Sequence, residues 1–141
     1  MNITTSRLQK KYFAEVVTLL QDVSIFHPPS ENLDTIWQSL QKQPNVFLIQ
    51  ATHENALVGF GSLVTATRVR GGKVGYIEDI VTHPAYRQRG VGRRIINALS
   101  DIARAEACYK ITLHCEDNKI DFYKKLSFSK SNGLRMLILL N

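Results

Sequence analysis

Apolar residues recur along this chain in two rhythms. Phe13, Val16, Val17 and Leu20 fall at i, i+3, i+4 and i+7, the single buried stripe of an amphipathic helix. A second helical stripe, Leu33, Ile36, Trp37 and Leu40, follows the break "HPPS", with Ser30 placed to cap it and "KQPN" to end it. Trp37 on that stripe reads as core or as a pocket wall. Strand-like runs occupy residues 2–8, 46–52, 57–69, 74–82, 109–115 and 134–140, and a further short strand is compatible with 128–130. Gly59 and Gly61 interrupt the third of these, which predicts a bulge or a close backbone approach. Ile95, Leu99, Ile102 and Glu106 share one line of a third helix, widened by Ile96 and Ala103, with Arg94, Asn97, Asp101 and Arg104 on its wetter side. A short helix fits residues 117–126. The order β-α-α-β-β-β-α-β-α-β is an antiparallel meander followed by a β-α-β crossover. It predicts an α/β fold with a mixed, mostly antiparallel sheet of six to seven strands flanked by about four helices, as one domain over residues 1–141.

Composition narrows the function classes. No apolar run approaches the roughly 20 residues needed to span a bilayer, and "MNITTSRLQKKYF" lacks the apolar core of a secretory signal. The chain is expected to be soluble and cytoplasmic. Cys108 and Cys115 form no CxxC pair and, with four scattered histidines, match no metal-ligand spacing, so no metal is expected. The net charge of +6 would suit nucleic acid, an acidic surface, a phosphorylated ligand or plain solvation. Its placement says more, because four of the 18 basic residues (Arg87, Arg89, Arg93 and Arg94) lie where a strand hands over to a helix.

The segment "RQRGVG" holds that handover. Amides at a helix start have no intrahelical partner and sit at the positive end of the dipole, and glycine lets a phosphate approach them closely. Neither the GxxxxGK[ST] pattern nor GxGxxG is present. Read alone, the segment is either an anion site or a basic turn that caps a helix.

The surrounding residues favour the anion site. Arg87-Gln88-Arg89-Gly90-Val91-Gly92 resembles the R-x-x-G-x-G coenzyme A pyrophosphate signature of the GNAT N-acetyltransferase superfamily, and Asn118…Phe122-Tyr123…Phe128 resembles its downstream N…FY…GF segment. Within it, "YIEDIVTHPAYRQRGVG", "CYKITLHCEDN" and "FYKKLSF" are similar to the glucosamine-6-phosphate N-acetyltransferases. The resemblance covers about residues 76–128.

The resemblance implies acetyl-CoA as cosubstrate and direct transfer of its acetyl group to a small primary amine, an amino sugar phosphate above all, in a ternary complex. Ile80, Val81 and Thr82 would present backbone groups to the pantetheine arm, with the Ile80 amide stabilising the developing oxyanion. The run Arg87, Gln88, Arg89, Gly90, Val91, Gly92 and Arg93 would hold the pyrophosphate, and Asn118 would contact the cofactor. Tyr123 would protonate the departing thiolate. Glu78 and Asp79 would line the amine pocket, with His114 and Lys110 as further substrate contacts. It also implies a homodimer, for which the apolar "MLILL" run is a candidate interface.

Bland readings stand beside these. Tyr123 could be a helix residue packed on the sheet, and Glu78 and Asp79 strand-end surface carboxylates, although adjacent acids in an apolar strand are expensive unless it opens onto a polar pocket. His114 stands where the related enzymes usually carry an acid, and reads either as a base or as a structural strand residue. His53 and His83 read as turn residues, and His27 stays open. Tyr76 replaces a common histidine, and Ser127 replaces the usual glycine before Phe128, which predicts a mildly strained helix end. The C-terminal "RMLILLN" lacks the family's phosphate-binding basic residues, leaving Arg135, Lys110, Arg68 and Arg70 to replace them. Two other functions remain: acetylation of a different acceptor (a protein N-terminus, an antibiotic amine, an aminoacyl-tRNA), and a basic nucleic-acid-binding module supported by charge alone.

Overall fold

A computed structural model of the chain describes residues 1–23, 26 and 29–140. Strand β1 (Thr4–Arg7) leads into helix α1 (Lys10–Leu19), and a 3-10 turn (Ser30–Asn32) precedes α2 (Leu33–Gln41). The meander β2 (Val46–His53), β3 (Ala56–Thr67) and β4 (Lys73–Thr82) follows, then α3 (Val91–Ala105), β5 (Lys110–Thr112) and α4 (Ile120–Lys124). Ser30 therefore opens the 3-10 turn rather than capping α2, and His27 lies outside the described residues.

The sheet order is β1-β2-β3-β4-β5, antiparallel except for the parallel pair β4–β5. The described residues thus hold five strands, not six or seven. Neither 128–130 nor 134–140 forms a ladder, and β5 stops at Thr112 instead of running to residue 115. The terminal apolar run has strand composition, but no strand of the same chain lies beside it; propensity without a partner makes no ladder.

Alternation along the strands feeds two cores. Ile49, Ala51, Leu63 and Ile77 point to α3, where Ile95, Ile96, Leu99 and Ala103 are buried. Leu48, Leu57, Phe60 and Val81 face the other way, toward Phe13 and Val16 of α1 and Trp37 of α2, which stacks on Phe13 at 5.4 Å. Burying side chains the size of Ile95 or Leu99 contributes about 1.5–3 kcal/mol each. One buried polar residue ties β2 to the link between β1 and α1: Gln50, 2% exposed, accepts from the Gln9 amide at 2.9 Å and donates to Ser6 and Gln9 side chains.

Both predicted glycine effects occur. A Cβ on Gly59 would lie 2.7 Å from Cγ1 of Val91 and 3.0 Å from the Val81 carbonyl, so its absence lets the start of α3 rest on the sheet. At Gly61 the β3–β4 register shifts: Phe60 faces Val81 but Ser62 faces Glu78, so Asp79 and Ile80 together oppose one glycine. This is a β-bulge, with Asp79 in the left-handed region at φ 56°.

Candidate active site

The bulge decides what happens at the end of β4. A bulge increases local twist and bends its strand. Here the parallel ladder with β5 runs only from Val74↔Lys110 to Tyr76↔Thr112, whereas β4 continues to Thr82. Residues 77–82 therefore have no strand beside them on the β5 side. The sequence contained one further signal for this geometry, the polar residue inside "GFGSLV": Ser62 is buried and donates its hydroxyl to the Glu78 carbonyl at 3.0 Å, pinning the bulge.

The strand then turns into a short 3-10 segment (Pro84–Tyr86), where the His83 ring nitrogen accepts from the Ala85 amide at 3.1 Å. His83 is thus a turn residue, as its sequence context predicts. Gln88 and Gly90 take left-handed conformations, φ 62° and 84°. Helix α3 follows with no side-chain cap and no acidic residue in its first turn. Its earliest internal bond in the cap region runs from the Arg94 amide to the Gly90 carbonyl at 3.1 Å, so the amides just before Arg94 have no carbonyl one turn back to meet. No atom lies within 4 Å of where a Gly90 Cβ would stand, which leaves that approach open.

The four arginines do different things. Arg87 and Arg93 are exposed and in no ion pair among the described residues. Arg89 lies over the Tyr86 ring at 5.9 Å, turned back toward the preceding segment. Arg94 donates to the Ile3 carbonyl at 2.9 Å and so ties α3 to the chain's first residues.

Helix α4 comes to the same place. A Cβ on Gly92 would lie 3.2 Å from Cζ of Phe122 and 4.0 Å from Oγ1 of Thr82, so the first turn of α3, the end of β4 and α4 converge there. Tyr123 packs on the α3-side core, edge-on to Phe122 and Phe128 at 5.0 and 5.7 Å. Burial, and secondarily the neighbouring Cys115, push its phenol above the ordinary 10.0, so it holds its proton at neutral pH. Asn118 is exposed in the 3-10 turn (Asp117–Lys119) before α4.

Glu78 and Asp79 are exposed at the bulge, and partial burial of the Asp79 carboxyl raises its pKa above 3.8. His114 is exposed two residues beyond the end of β5, not within a strand. Lys110 stands apart: it is the first residue of β5, opposite Val74, with its ammonium 5.5 Å from the Tyr109 ring. The structure thus brings Thr82, Gly92 and Phe122 together, sets Tyr123 beside Cys115, leaves Glu78 and Asp79 exposed at the bulge and His114 exposed beyond β5, and places Lys110 at the start of the β4–β5 ladder. Among the described residues no group of three or more His, Cys, Asp and Glu is placed to hold a metal ion, and no helix is long and apolar enough to cross a membrane.

Known proteins resemble this chain in sequence and fold. The chain is 41% identical over 85 residues to a curated glucosamine 6-phosphate N-acetyltransferase of Trypanosoma brucei brucei, a match covering 59% of this chain and 56%, little more than half, of that relative. It is 38% identical over 109 residues to glucosamine 6-phosphate N-acetyltransferase 1 of Dictyostelium discoideum, covering 74% and 69%. The crystal structure of a Trypanosoma brucei acetyltransferase superposes with a TM-score of 0.87 at 27% identity, covering 98% of this chain and 100% of the other. The Acetyltransferase (GNAT) family itself matches residues 13–128, which take in most of both cores, the bulge, the arginine loop and α4; the chain belongs to that family.

Proposed function

We propose that this chain is an acetyl-CoA-dependent N-acetyltransferase whose acceptor is an amino sugar phosphate of the glucosamine 6-phosphate type. One observation carries the reading: residues 77–82 of β4, unpaired on the β5 side, lead straight to a helix start with unmatched amides and no acid. A strand edge can hold an extended amide-bearing arm by backbone hydrogen bonds, and a helix start can hold a diphosphate. The names of the relatives point to the same acceptor.

In this reading the amides of residues 90–93, with Arg87 and Arg93 alongside, bind the pyrophosphate. Ile80, Val81 and Thr82 offer backbone groups to the pantetheine. The Ile80 amide stabilises the negative charge that develops on the acetyl oxygen, and Tyr123, kept protonated, supplies a proton to the leaving sulfur. Glu78 and Asp79 attract the acceptor's ammonium, and His114 serves as its base. Asn118 contacts the coenzyme from the α4 side. No metal is needed for these steps. The exposed run at residues 134–140, with Leu134, Met136 and Leu140 85–92% exposed, is the surface by which two copies form a homodimer.

Calorimetry with acetyl-CoA and thiol-release assays with glucosamine 6-phosphate test the proposal together. Expected are saturable binding of acetyl-CoA, turnover with the sugar phosphate, and loss of binding in Gly90→Asp, which strains the left-handed residue and sets a carboxylate at the anion site. No heat from acetyl-CoA with folded protein would overturn it. Turnover with a peptide or an aminoglycoside, but no amino sugar, would move the chain to a different acceptor.

A further inference from the structure

His53 and Tyr86 take no part in the roles above, yet they stand directly behind the arginine loop. His53 closes the β2–β3 hairpin opposite Ala56, across a turn in which Glu54 and Asn55 are both left-handed, φ 49° and 64°. Its ring is held from the amino end of the chain: Nδ1 donates to the Asn2 carbonyl at 2.8 Å, a group that can only accept. The hairpin tip is fastened from α1 as well, since the Tyr12 hydroxyl donates to the Asn55 carbonyl at 2.7 Å. From this anchored position the His53 ring meets Tyr86 edge-on, 6.3 Å between centroids. His83 meets the same ring at 5.6 Å, and its own amide is bonded to the Val58 carbonyl at 2.8 Å. Tyr86 also packs on the α3-side core.

Tyr86 passes this support to the loop in two ways. Along the chain, Arg87 follows it directly. Through its side chain, it seats the Arg89 guanidinium at 5.9 Å from the ring. That contact joins the two ends of the turn 86–89, inside which Gln88 is left-handed at φ 62°. A left-handed residue with a Cβ is strained and persists only where its surroundings hold it. Gly90, left-handed too, then leads into the amides of the first turn of α3. A site built from backbone amides depends on the loop that aims them, and a loop that must first be ordered binds more weakly.

We infer that Tyr86, seated against His53 and His83, is a positioning residue for the coenzyme's diphosphate: it holds residues 87–90 in the conformation that aims the α3 amides, and His53 in turn holds Tyr86. The inference rests on the proposed use of acetyl-CoA and deepens it. A hairpin remote in sequence from the arginine loop thereby sets coenzyme affinity.

The test measures CoA affinity by calorimetry, and turnover of acetyl-CoA beside that of S-acetylpantetheine, which has the thioester and its arm but no diphosphate. Wild type, Tyr86→Leu, Tyr86→Phe and His53→Ala are compared with glucosamine 6-phosphate as acceptor. Expected for Tyr86→Leu is a rise of about tenfold in Kd for CoA and in KM for acetyl-CoA, with kcat and the use of S-acetylpantetheine retained. His53→Ala shows the same split at about threefold, and Tyr86→Phe, which keeps the ring, matches the wild type. Should Tyr86→Leu fail to fold, His53→Ala carries the test, since it leaves the Tyr86 ring on the core. Unchanged CoA affinity in the folded variants overturns the positioning role and leaves acetyl transfer standing. An equal loss on both thioesters also overturns it, since that marks a general defect. A wild type that draws no heat from CoA overturns the use of acetyl-CoA itself, and this role with it.

Discussion

Gly61 of β3 and Ile80 of β4 share one volume: a Cβ built on Gly61 would lie 2.5 Å from Cδ1 of Ile80 and 2.6 Å from Cγ2 of the buried Ile95. The bulge brings Ile80 inward, and only glycine leaves it room. Gly61→Ala is expected to destabilise the fold by about 1–3 kcal/mol, the usual penalty of overpacking, and to lower turnover through the displaced Ile80. Urea unfolding and steady-state kinetics on the same preparation check both. An unchanged midpoint would mean that Ile80 yields freely.

The end of α4 offers a gain instead. Ser127 sits at φ 76°, while the Ser127 amide donates to Lys124 at 3.0 Å and the Phe128 amide to Tyr123 at 3.1 Å. Left-handed geometry costs a residue with a Cβ about 1–2 kcal/mol, part of which glycine gives back in unfolded-state entropy. Ser127→Gly is expected to stabilise the protein by roughly 0.5–1 kcal/mol, read as a higher melting temperature with kcat retained.

Tyr123→Phe is expected to lower kcat by about 10²-fold, the low end of what a positioned acid supplies, with KM for acetyl-CoA little changed. A stability signature accompanies it. The folded state holds the Tyr123 proton more tightly than the unfolded chain, so this contribution is intact below pH 10.0 and declines as pH rises from there through the raised folded value. The decline should be shallower in the phenylalanine variant, as measured by alkaline unfolding.

Asp79 sets function against stability. Its folded pKa is raised above 3.8 by burial, so ionising it weakens the fold as pH climbs past that value, and the penalty persists at neutral pH. Asp79→Asn keeps a residue type that tolerates the left-handed backbone at φ 56°. It should be more stable than the wild type at pH 7, lose that advantage below pH 3.8, and acetylate more slowly. Unfolding at both pH values, beside kinetics, gives the comparison.

Removal of residues 134–141 takes away the exposed apolar run. Light scattering should then report a monomer where the full chain is a dimer. A full-length monomer would refute the assembly.

Much of this was legible in the residues. The two helix stripes, the meander, the glycine pair and the arginine loop each carry a local rule, spacing or turn chemistry, that survives folding unchanged. Ser127 was legible in the same way, because its strain is a backbone property. The strand count was not: residues 134–140 have every local mark of a strand, yet a ladder needs a neighbour. The early end of β5 was hidden too, since the end of a ladder depends on where two strands part and not on either one's composition. Arg68 lies over the Tyr76 ring at 5.2 Å across a turn, and no periodicity predicts which arginine finds a ring. Arg94 looked like one more member of a basic cluster, and its role depends on where the first strand ends up.

That last contact orders events in time. The Arg94 guanidinium holds the carbonyl of Ile3, 91 positions earlier in the chain. During synthesis β2, which pairs with β1 from Thr4↔Thr52 to Arg7↔Ile49, emerges well before α3, so the Arg94 contact is added to a strand already in the ladder. Fusion tags or trims at the amino end should therefore be felt at the coenzyme-facing start of α3, a whole domain away along the chain.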